Sequence, residues 1–135
     1  MDNQKKKILI IEDEPPMLQI LTDRLISSGF DIIQARDGEE GLQLALQNHP
    51  DLILLDILMP KMNGTATINK LREDAWGKSV PVIMLTNVSP DTDAALNEIV
   101  KNKPAYYFVK SDIELDTLVE KIKEILAAPQ QPESK

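Results

Sequence analysis

The chain has 135 residues, a formal net charge of −7, no cysteine and one histidine. This length fits one domain with its own core, the absence of cysteine excludes disulfides and thiolate metal sites, and the acidic balance disfavours nucleic acid and anionic membranes as partners. No apolar run approaches the roughly 18 residues of a membrane span, and the start "MDNQKKK" is unlike a signal peptide, so we expect a cytoplasmic protein.

The first third of the chain predicts a strand, a helix and a weaker strand. An apolar run over 7–13 favours a buried strand, and 30–35 favours a second. Between them, a helix is predicted to open at Pro15 or Pro16, where a missing N–H costs little, and to stop at Gly29. Its expected apolar face is Met17, Leu21 and Leu25.

The middle third continues the alternation. Asp37 is a good helix N-cap with Glu40 three residues on, and the expected apolar stripe of this helix is Leu42, Ala45 and Leu46. A buried strand follows over 51–56, and a weaker helical pattern covers about 64–74. His49, just before that strand, is expected on a surface loop.

The last third predicts two more strands, over 80–85 and 105–110, each followed by a helix. The fourth predicted helix starts with Ser89 as its cap. The fifth opens with Ser111 and Glu114 as a capping box, and its expected apolar face is Leu115, Leu118, Val119, Ile122, Ile125 and Leu126.

Five strands that alternate with five helices predict an α/β domain with a parallel sheet covered on both faces. Ligands of such sheets bind beyond the carboxyl ends of the strands. The polar residues at these ends are Glu12, Asp13, Asp56, Thr86 and Lys110. Each alone has an ordinary explanation as a cap, a strand terminator or a surface residue, but together they form a set that can bind a metal ion and a phosphoryl group.

Electrostatics favours a divalent cation at this edge. Two carboxylates about 4 Å apart repel by roughly 4 kcal/mol at an effective dielectric constant near 20, and a shared cation relieves the repulsion. Mg²⁺ prefers oxygen ligands and is usually held by one or two carboxylates plus phosphate. Asp13 and Asp56 are the candidate direct ligands, Glu12 is a candidate through a water molecule, and Lys110 supplies a positive charge.

Four segments carry a family resemblance: "IIEDEPPML", "DLILLDILMPKMNG", "VPVIMLTN" and "YYFVKSD". In this order and spacing, the chain resembles the receiver domain of two-component response regulators over residues 6–127, with flexible tails at 1–5 and 128–135. The resemblance implies a flavodoxin-like (βα)5 three-layer sandwich with strand order 2-1-3-4-5. It also implies Mg²⁺, or Mn²⁺, as the cofactor.

The resemblance assigns roles at the site. Asp56 matches the phosphoryl acceptor, and Glu12 and Asp13 match the acidic pair of the metal site. The backbone carbonyl of Leu58 matches the third protein ligand of the metal, and Lys110 matches the lysine that follows the fifth strand.

Two further positions match the switch of the family. Thr86 matches the hydroxyl residue that contacts the phosphoryl group, and Tyr107 matches the aromatic switch residue. The implied donor is a sensor histidine kinase or a phosphotransfer protein. The implied output is a downstream protein that reads the face formed by the fourth helix, the fifth strand and the fifth helix. We expect a monomer or weak homodimer that catalyses only its own phosphorylation and dephosphorylation.

The chain departs from the family pattern at several positions. Asn87 replaces the Ala or Gly that is usual in the family. The positions of Leu58 and Val88 line the route of the hydrolytic water in the family, and both residues are apolar here, which predicts slow self-dephosphorylation. In the family, a proline usually follows the strand-five lysine through a cis peptide bond. Here that residue is Ser111, so the Lys110–Ser111 bond is either trans or strained. Pro104 stands in the approach to the fifth strand in place of Gly-Ala.

Alternatives remain at this point. A haloacid-dehalogenase-type phosphatase needs a second Asp at the position of Leu58, which this chain lacks. A pseudo-receiver that only binds partners usually lacks an acidic or acceptor residue, and none is missing here. The chain is expected to act either as a stand-alone receiver or as part of a larger regulator.

Overall fold

The computed structural model describes residues 5–56, 64–86, 105–109 and 114–127. The strands are β1 (Lys7–Ile11), β2 (Asp31–Ala35), β3 (Leu52–Asp56), β4 (Val82–Thr86) and β5 (Ala105–Val109). The helices are α1 (Pro15–Ser27), α2 (Gly38–Asn48), α3 (Gly64–Arg72) and a C-terminal helix (Leu115–Ala127). The helix predicted from Ser89 and the tails at 1–4 and 128–135 lie outside the described residues.

The five described strands form one parallel sheet with the order β2-β1-β3-β4-β5. The α/β fold and its strand order are therefore confirmed. Two apolar clusters cover the sheet, one on each face. One involves α2 and α3, and the other involves α1 and the C-terminal helix. Among the described helices, none has the length and apolar character needed to cross a membrane.

Both ends of α1 follow from local sequence. The helix begins at Pro15, as predicted, because proline at the first turn sacrifices no intrahelical bond. At its end, the N–H of Gly29 donates to the carbonyl of Ile26 at 3.0 Å, and the N–H of Phe30 donates to that of Leu25 at 3.1 Å. This is a Schellman motif, and it needs the positive φ of 100° that Gly29 adopts.

The buried face of α1 differs slightly from the expected one. Leu21 and Leu25 are buried as predicted, and Leu18 is buried beside them, whereas Met17 is only partly buried. Side chains three and four residues apart share a helix face, so both Leu18 and Met17 fit the spacing. The rotation of α1 about its own axis, which the spacing does not fix, buries Leu18 rather than Met17.

The start of α2 is the predicted one, but its apolar stripe is not. The Asp37 carboxylate accepts from the N–H of Glu40 at 2.8 Å, and the Glu40 carboxylate accepts from the N–H of Arg36 at 3.0 Å.

Ala45 is buried and Leu42 is partly buried, but Leu46 is 38% exposed, so its assignment to the buried stripe of α2 was wrong. The helix turns small residues toward the sheet instead, and Gly41 lies against Ile11 of β1.

The C-terminal helix packs through the expected face. Leu118, Val119 and Ile122 are buried, and Leu115, Ile125 and Leu126 are partly buried against the same cluster. Its first helical residue is Leu115, later than predicted, and the carbonyl of Glu114 accepts from the N–H of Leu118 at 3.0 Å. Ser111, the other half of the proposed capping box, lies outside the described residues.

The connection from α3 to β4 is fixed by hydrogen bonds. Arg72 donates from Nη1 to the carbonyls of Gly77 and Val80 at 2.7 and 2.8 Å, and burial lowers the pKa of its guanidinium. The Asp74 carboxylate accepts from the N–H groups of Trp76 and Gly77 at 2.9 and 3.1 Å. The turn thereby holds the Trp76 indole in place at the amino-terminal end of the sheet.

His49 stacks on this indole. The two rings are 4.3 Å apart between centroids and 10° from parallel. His49 is exposed and ends α2 in the left-handed conformation, with φ of 48°. The expectation of a surface residue outside the acidic site is confirmed.

Gly41 provides a test of the packing between α2 and β1. A Cβ at this position would lie 2.4 Å from Cδ1 and 2.7 Å from Cγ1 of Ile11. We expect Gly41→Ala to lower the free energy of unfolding by about 1–3 kcal/mol, as overpacking usually does. Urea unfolding followed by circular dichroism measures the loss.

The double variant Gly41→Ala/Ile11→Val is the matched control, because valine lacks the Cδ1 atom that the new Cβ would meet. Its cost should be smaller than the sum of the two single costs. Strict additivity of the two costs would contradict the contact between Gly41 and Ile11.

Candidate functional site

The acidic residues meet where β1 and β3 end side by side. The last register pair of these two parallel strands is Ile11 and Leu55. Glu12 and Asp56 are the next residues along each strand, so their backbones arrive at the same edge of the sheet. The predicted convergence of these two strand ends is therefore present in the structure.

Three carboxylates form a compact cluster at this edge. One oxygen from each of Glu12, Asp13 and Asp56 lies within 4.8 Å of the others. Glu12 is 0% exposed and Asp56 only 3%, while Asp13 is partly exposed. Three negative charges this close, two of them removed from water, repel one another strongly. Oxygen donors at this spacing fit a hard divalent cation such as Mg²⁺.

Backbone hydrogen bonds hold the turn that carries this cluster. The N–H of Glu12 donates to the carbonyl of Ala35 in β2 at 3.0 Å. The N–H of Glu14 donates to Oε2 of Glu12 at 3.1 Å, and α1 starts directly afterwards at Pro15. The turn between β1 and α1 is thus tied both to the sheet and to the Glu12 side chain.

Thr86 is the last residue of β4, one position beyond Leu85, which pairs with Asp56. Its backbone therefore reaches the same edge as the carboxylates, whereas its side chain lies outside the described part. Val109 pairs with Thr86 and ends β5, and Lys110 follows it in the chain. Lys110 itself lies outside the described residues.

Tyr107 lies in the middle of β5, paired with Met84 of β4. Its side chain is 41% exposed, whereas its neighbours Tyr106 and Phe108 are partly buried in the cluster with the C-terminal helix. This alternation is that of an edge strand whose side chains point in turn to opposite faces. The predicted switch residue is therefore accessible at the surface.

The remaining positions singled out in the sequence are outside the described residues. They are Leu58, Asn87, Val88, Pro104 and Ser111. Their proposed roles remain predictions.

An apolar surface beside the site was not anticipated. Asp13 and Glu14 border a shallow depression of about 490 Å³ that is also lined by Pro15, Pro16, Met17 and Ile20. Ile20 is 49% exposed, although it is a large apolar residue. The sequence signal was available, because Ile20 falls outside the spacing of the buried face of α1.

Comparison with known proteins finds a family whose model matches most of the chain. The family model described as the response regulator receiver domain matches residues 8–123. The chain belongs to the response regulator receiver domain family. Its place is therefore in two-component signalling, and the resemblance inferred from the four sequence segments is confirmed.

Individual relatives of this receiver domain fit the same picture. Protein PilH of Pseudomonas aeruginosa is 33% identical over 121 residues, which cover 90% of the chain and 98% of PilH. The solved structure of the chemotaxis protein CheY4 of Vibrio cholerae has a TM-score of 0.80 and 25% identity, covering 90% of this chain and 99% of that one.

A second kind of relative is longer. "Probable transcriptional regulator ycf27" of Porphyridium aerugineum is 44% identical over 90 residues, which cover 67% of the chain but 36% of that protein. The chain spans about a third of the length of this group of curated relatives.

The crowding of carboxylates leads to a stability prediction for this receiver domain. In buffer without divalent cations, we expect Asp13→Asn to raise the free energy of unfolding by about 1 kcal/mol. Two close carboxylates repel by up to roughly 4 kcal/mol, and partial hydration of Asp13 reduces this value. Urea unfolding in the presence of a chelator measures the change.

Asp31→Asn is the control, because it removes an exposed charge at the far end of β2. It should change stability by less than about 0.5 kcal/mol. A destabilised Asp13→Asn variant would show that repulsion within the cluster is not the dominant effect.

Proposed function

We propose that Asp56 accepts a phosphoryl group from the phosphohistidine of a sensor histidine kinase or phosphotransfer protein, in a reaction that depends on Mg²⁺ or Mn²⁺. The observation that carries this proposal is the cluster of three carboxylates within 4.8 Å at the carboxyl ends of β1 and β3. Membership of the receiver family supports the same reading.

The donor set suits the metal. Asp13 and Asp56 would bind the cation directly with the backbone carbonyl of Leu58, and Glu12 would act through a water molecule. When bound, the cation neutralises the cluster and stabilises the charge on the transferring phosphoryl oxygens.

The chain's own residues then carry out the transfer. A carboxylate oxygen of Asp56 attacks phosphorus in line with the leaving imidazole nitrogen, so that an O–P bond forms as the N–P bond breaks. Burial of Asp56 holds this oxygen in one orientation and limits access of water. Lys110 would place its ammonium on the phosphoryl oxygens, where it stabilises the developing charge.

The new phosphate alters charge at the sheet edge by about two negative units. Thr86 would hydrogen-bond the phosphoryl group, and its movement would vacate space that Tyr107 can fill. Because Tyr107 is accessible on β5, its rearrangement changes the surface that β5 shares with the C-terminal helix. A downstream protein would read that surface.

The domain that does this is proposed to be residues 6–127, acting in the cytoplasm as a monomer or weak homodimer. It would turn over no external substrate, because the phosphoryl group stays on Asp56 until hydrolysis. In this respect it differs from a haloacid-dehalogenase-type phosphatase, which would release phosphate repeatedly from a phosphomonoester.

Replacement of the acceptor provides the direct test. With Mg²⁺ and a small-molecule phosphodonor such as acetyl phosphate, the unmodified chain should gain the mass of one phosphoryl group, and Asp56→Asn should gain none. Intact-protein mass spectrometry measures the product. Removal of Mg²⁺ by a chelator should also abolish the gain.

Asp31→Asn is the matched control, since Asp31 is an exposed carboxylate at the opposite end of the sheet, at the start of β2. This variant should still be labelled. Labelling of Asp56→Asn would place the acceptor elsewhere, whereas an unmodified chain that is never labelled and binds no beryllofluoride would indicate a pseudo-receiver.

The lifetime of the phosphoryl group is a second prediction. Leu58 and Val88 are expected to keep the hydrolytic water away from the acyl phosphate. We therefore expect Leu58→Asn and Val88→Glu each to shorten its half-life, by about tenfold if the barrier falls by about 1.4 kcal/mol. Loss of the phosphorylated mass over time measures the rate. Unchanged half-lives in both variants would refute this role.

A further inference from the structure

The turn between β1 and α1 is closed by a hydrogen bond that spans Asp13. Oε2 of Glu12 accepts from the N–H of Glu14 at 3.1 Å. The N–H of Glu12 donates to the carbonyl of Ala35 at 3.0 Å, which fixes the Glu12 backbone to β2. Asp13 therefore lies between two anchored residues, and the bond from Glu14 to Glu12 forms a ring around its backbone.

The helix start explains why a side chain serves as this acceptor. The first N–H groups of a helix have no partner within the helix, and Pro15 and Pro16 have no N–H at all. The N–H of Glu14 is consequently the last backbone donor before Met17. The Glu12 carboxylate accepts from this N–H although its side chain is fully buried. Burial of a carboxylate costs free energy unless hydrogen bonds or opposite charges compensate it.

We propose that Glu12 is a positioning residue, whose side chain holds the Glu12–Glu14 turn so that Asp13 faces Asp56. We call the bond from the Glu14 N–H to Oε2 of Glu12 the Glu12 brace. The identity of the ion that Asp13 and Asp56 share rests on the proposed function, whereas the brace is present in the chain alone.

Comparison of Glu12→Gln with Glu12→Ala separates this role from that of charge. Glutamine keeps an oxygen that can accept from the Glu14 N–H but removes the charge, whereas alanine removes both. In Mg²⁺-free buffer, NMR should find the Glu14 amide hydrogen exchanging within about threefold of the unmodified rate in Glu12→Gln. In Glu12→Ala it should exchange at least about tenfold faster, because one hydrogen bond is lost.

Affinity for Mg²⁺ provides the second readout, measured by titration of the same amide spectra. We expect the dissociation constant to rise about tenfold in Glu12→Gln through the lost charge. In Glu12→Ala it should rise about a further tenfold through the lost brace, the factor for about 1.4 kcal/mol. A residue that acts on the ion through charge alone would give equal constants in the two variants.

Glu14→Gln is the control, because it removes an exposed negative charge from the same turn and keeps the backbone N–H. Its Glu14 amide exchange should be unchanged. If Glu12→Ala does not fold, Glu12→Leu replaces it, and its Glu14 amide should exchange at least about tenfold faster than in the unmodified chain, since leucine fills the buried space but offers no acceptor.

Equal Mg²⁺ affinity, or equal Glu14 exchange, in the glutamine variant and the variant without an acceptor would overturn the positioning role. Absence of Mg²⁺ binding by the unmodified chain would instead overturn the proposed function. The exchange rates of the Glu14 amide would then still decide whether the brace exists.

Discussion

The register between β1 and β3 is the constraint on which the site depends. Residues Leu52–Leu55 are all buried, so a shift of one position along β3 would leave apolar side chains on both faces of the sheet. The apolar pattern therefore does not choose the register. At the amino-terminal end, two hydrogen bonds join the strands in the observed register: the Lys7 N–H donates to the Asp51 carboxylate, and the Asp51 N–H donates to the Lys7 carbonyl, both at 2.8 Å.

The carboxylates at the other end of these strands lower the stability of the chain. Glu12 and Asp56 are almost completely buried, and each adds a charge that Asp13 repels. Proteins commonly accept such local conflicts at functional sites and compensate for them elsewhere. Here the compensation is the apolar packing on the two faces of the sheet, one cluster with α2 and α3 and the other with α1 and the C-terminal helix.

Much of this arrangement could be predicted from the sequence. Strong local signals located the strands and the starts of α1 and α2, and strand alternation placed Glu12 and Asp56 at one edge. Leu46 was assigned wrongly because periodicity reports which residues share a face, not how closely that face approaches the sheet. The absence of a side chain at Gly41 lets α2 approach Ile11, which no count of apolar residues reveals.

Details of the site were harder to anticipate for a related reason. The contact between the Glu12 side chain and the Glu14 N–H depends on backbone direction after β1, and sequence spacing does not encode that direction. Likewise, the partial exposure of Tyr107 follows from the position of β5 at the edge of the sheet. Residue types at strand ends predict which groups a site contains, but they do not predict the hydrogen bonds that orient those groups.

The stacked rings of His49 and Trp76 have a practical consequence for optical work. The indole sits before β4, while Thr86 ends that strand, and five residues of strand separate the two ends by roughly 16 Å. Trp76 is the only tryptophan of the chain. We therefore expect its emission to report unfolding and to respond little to an ion at the acidic cluster, so a fluorophore that reports ion binding belongs near the carboxyl ends of the strands.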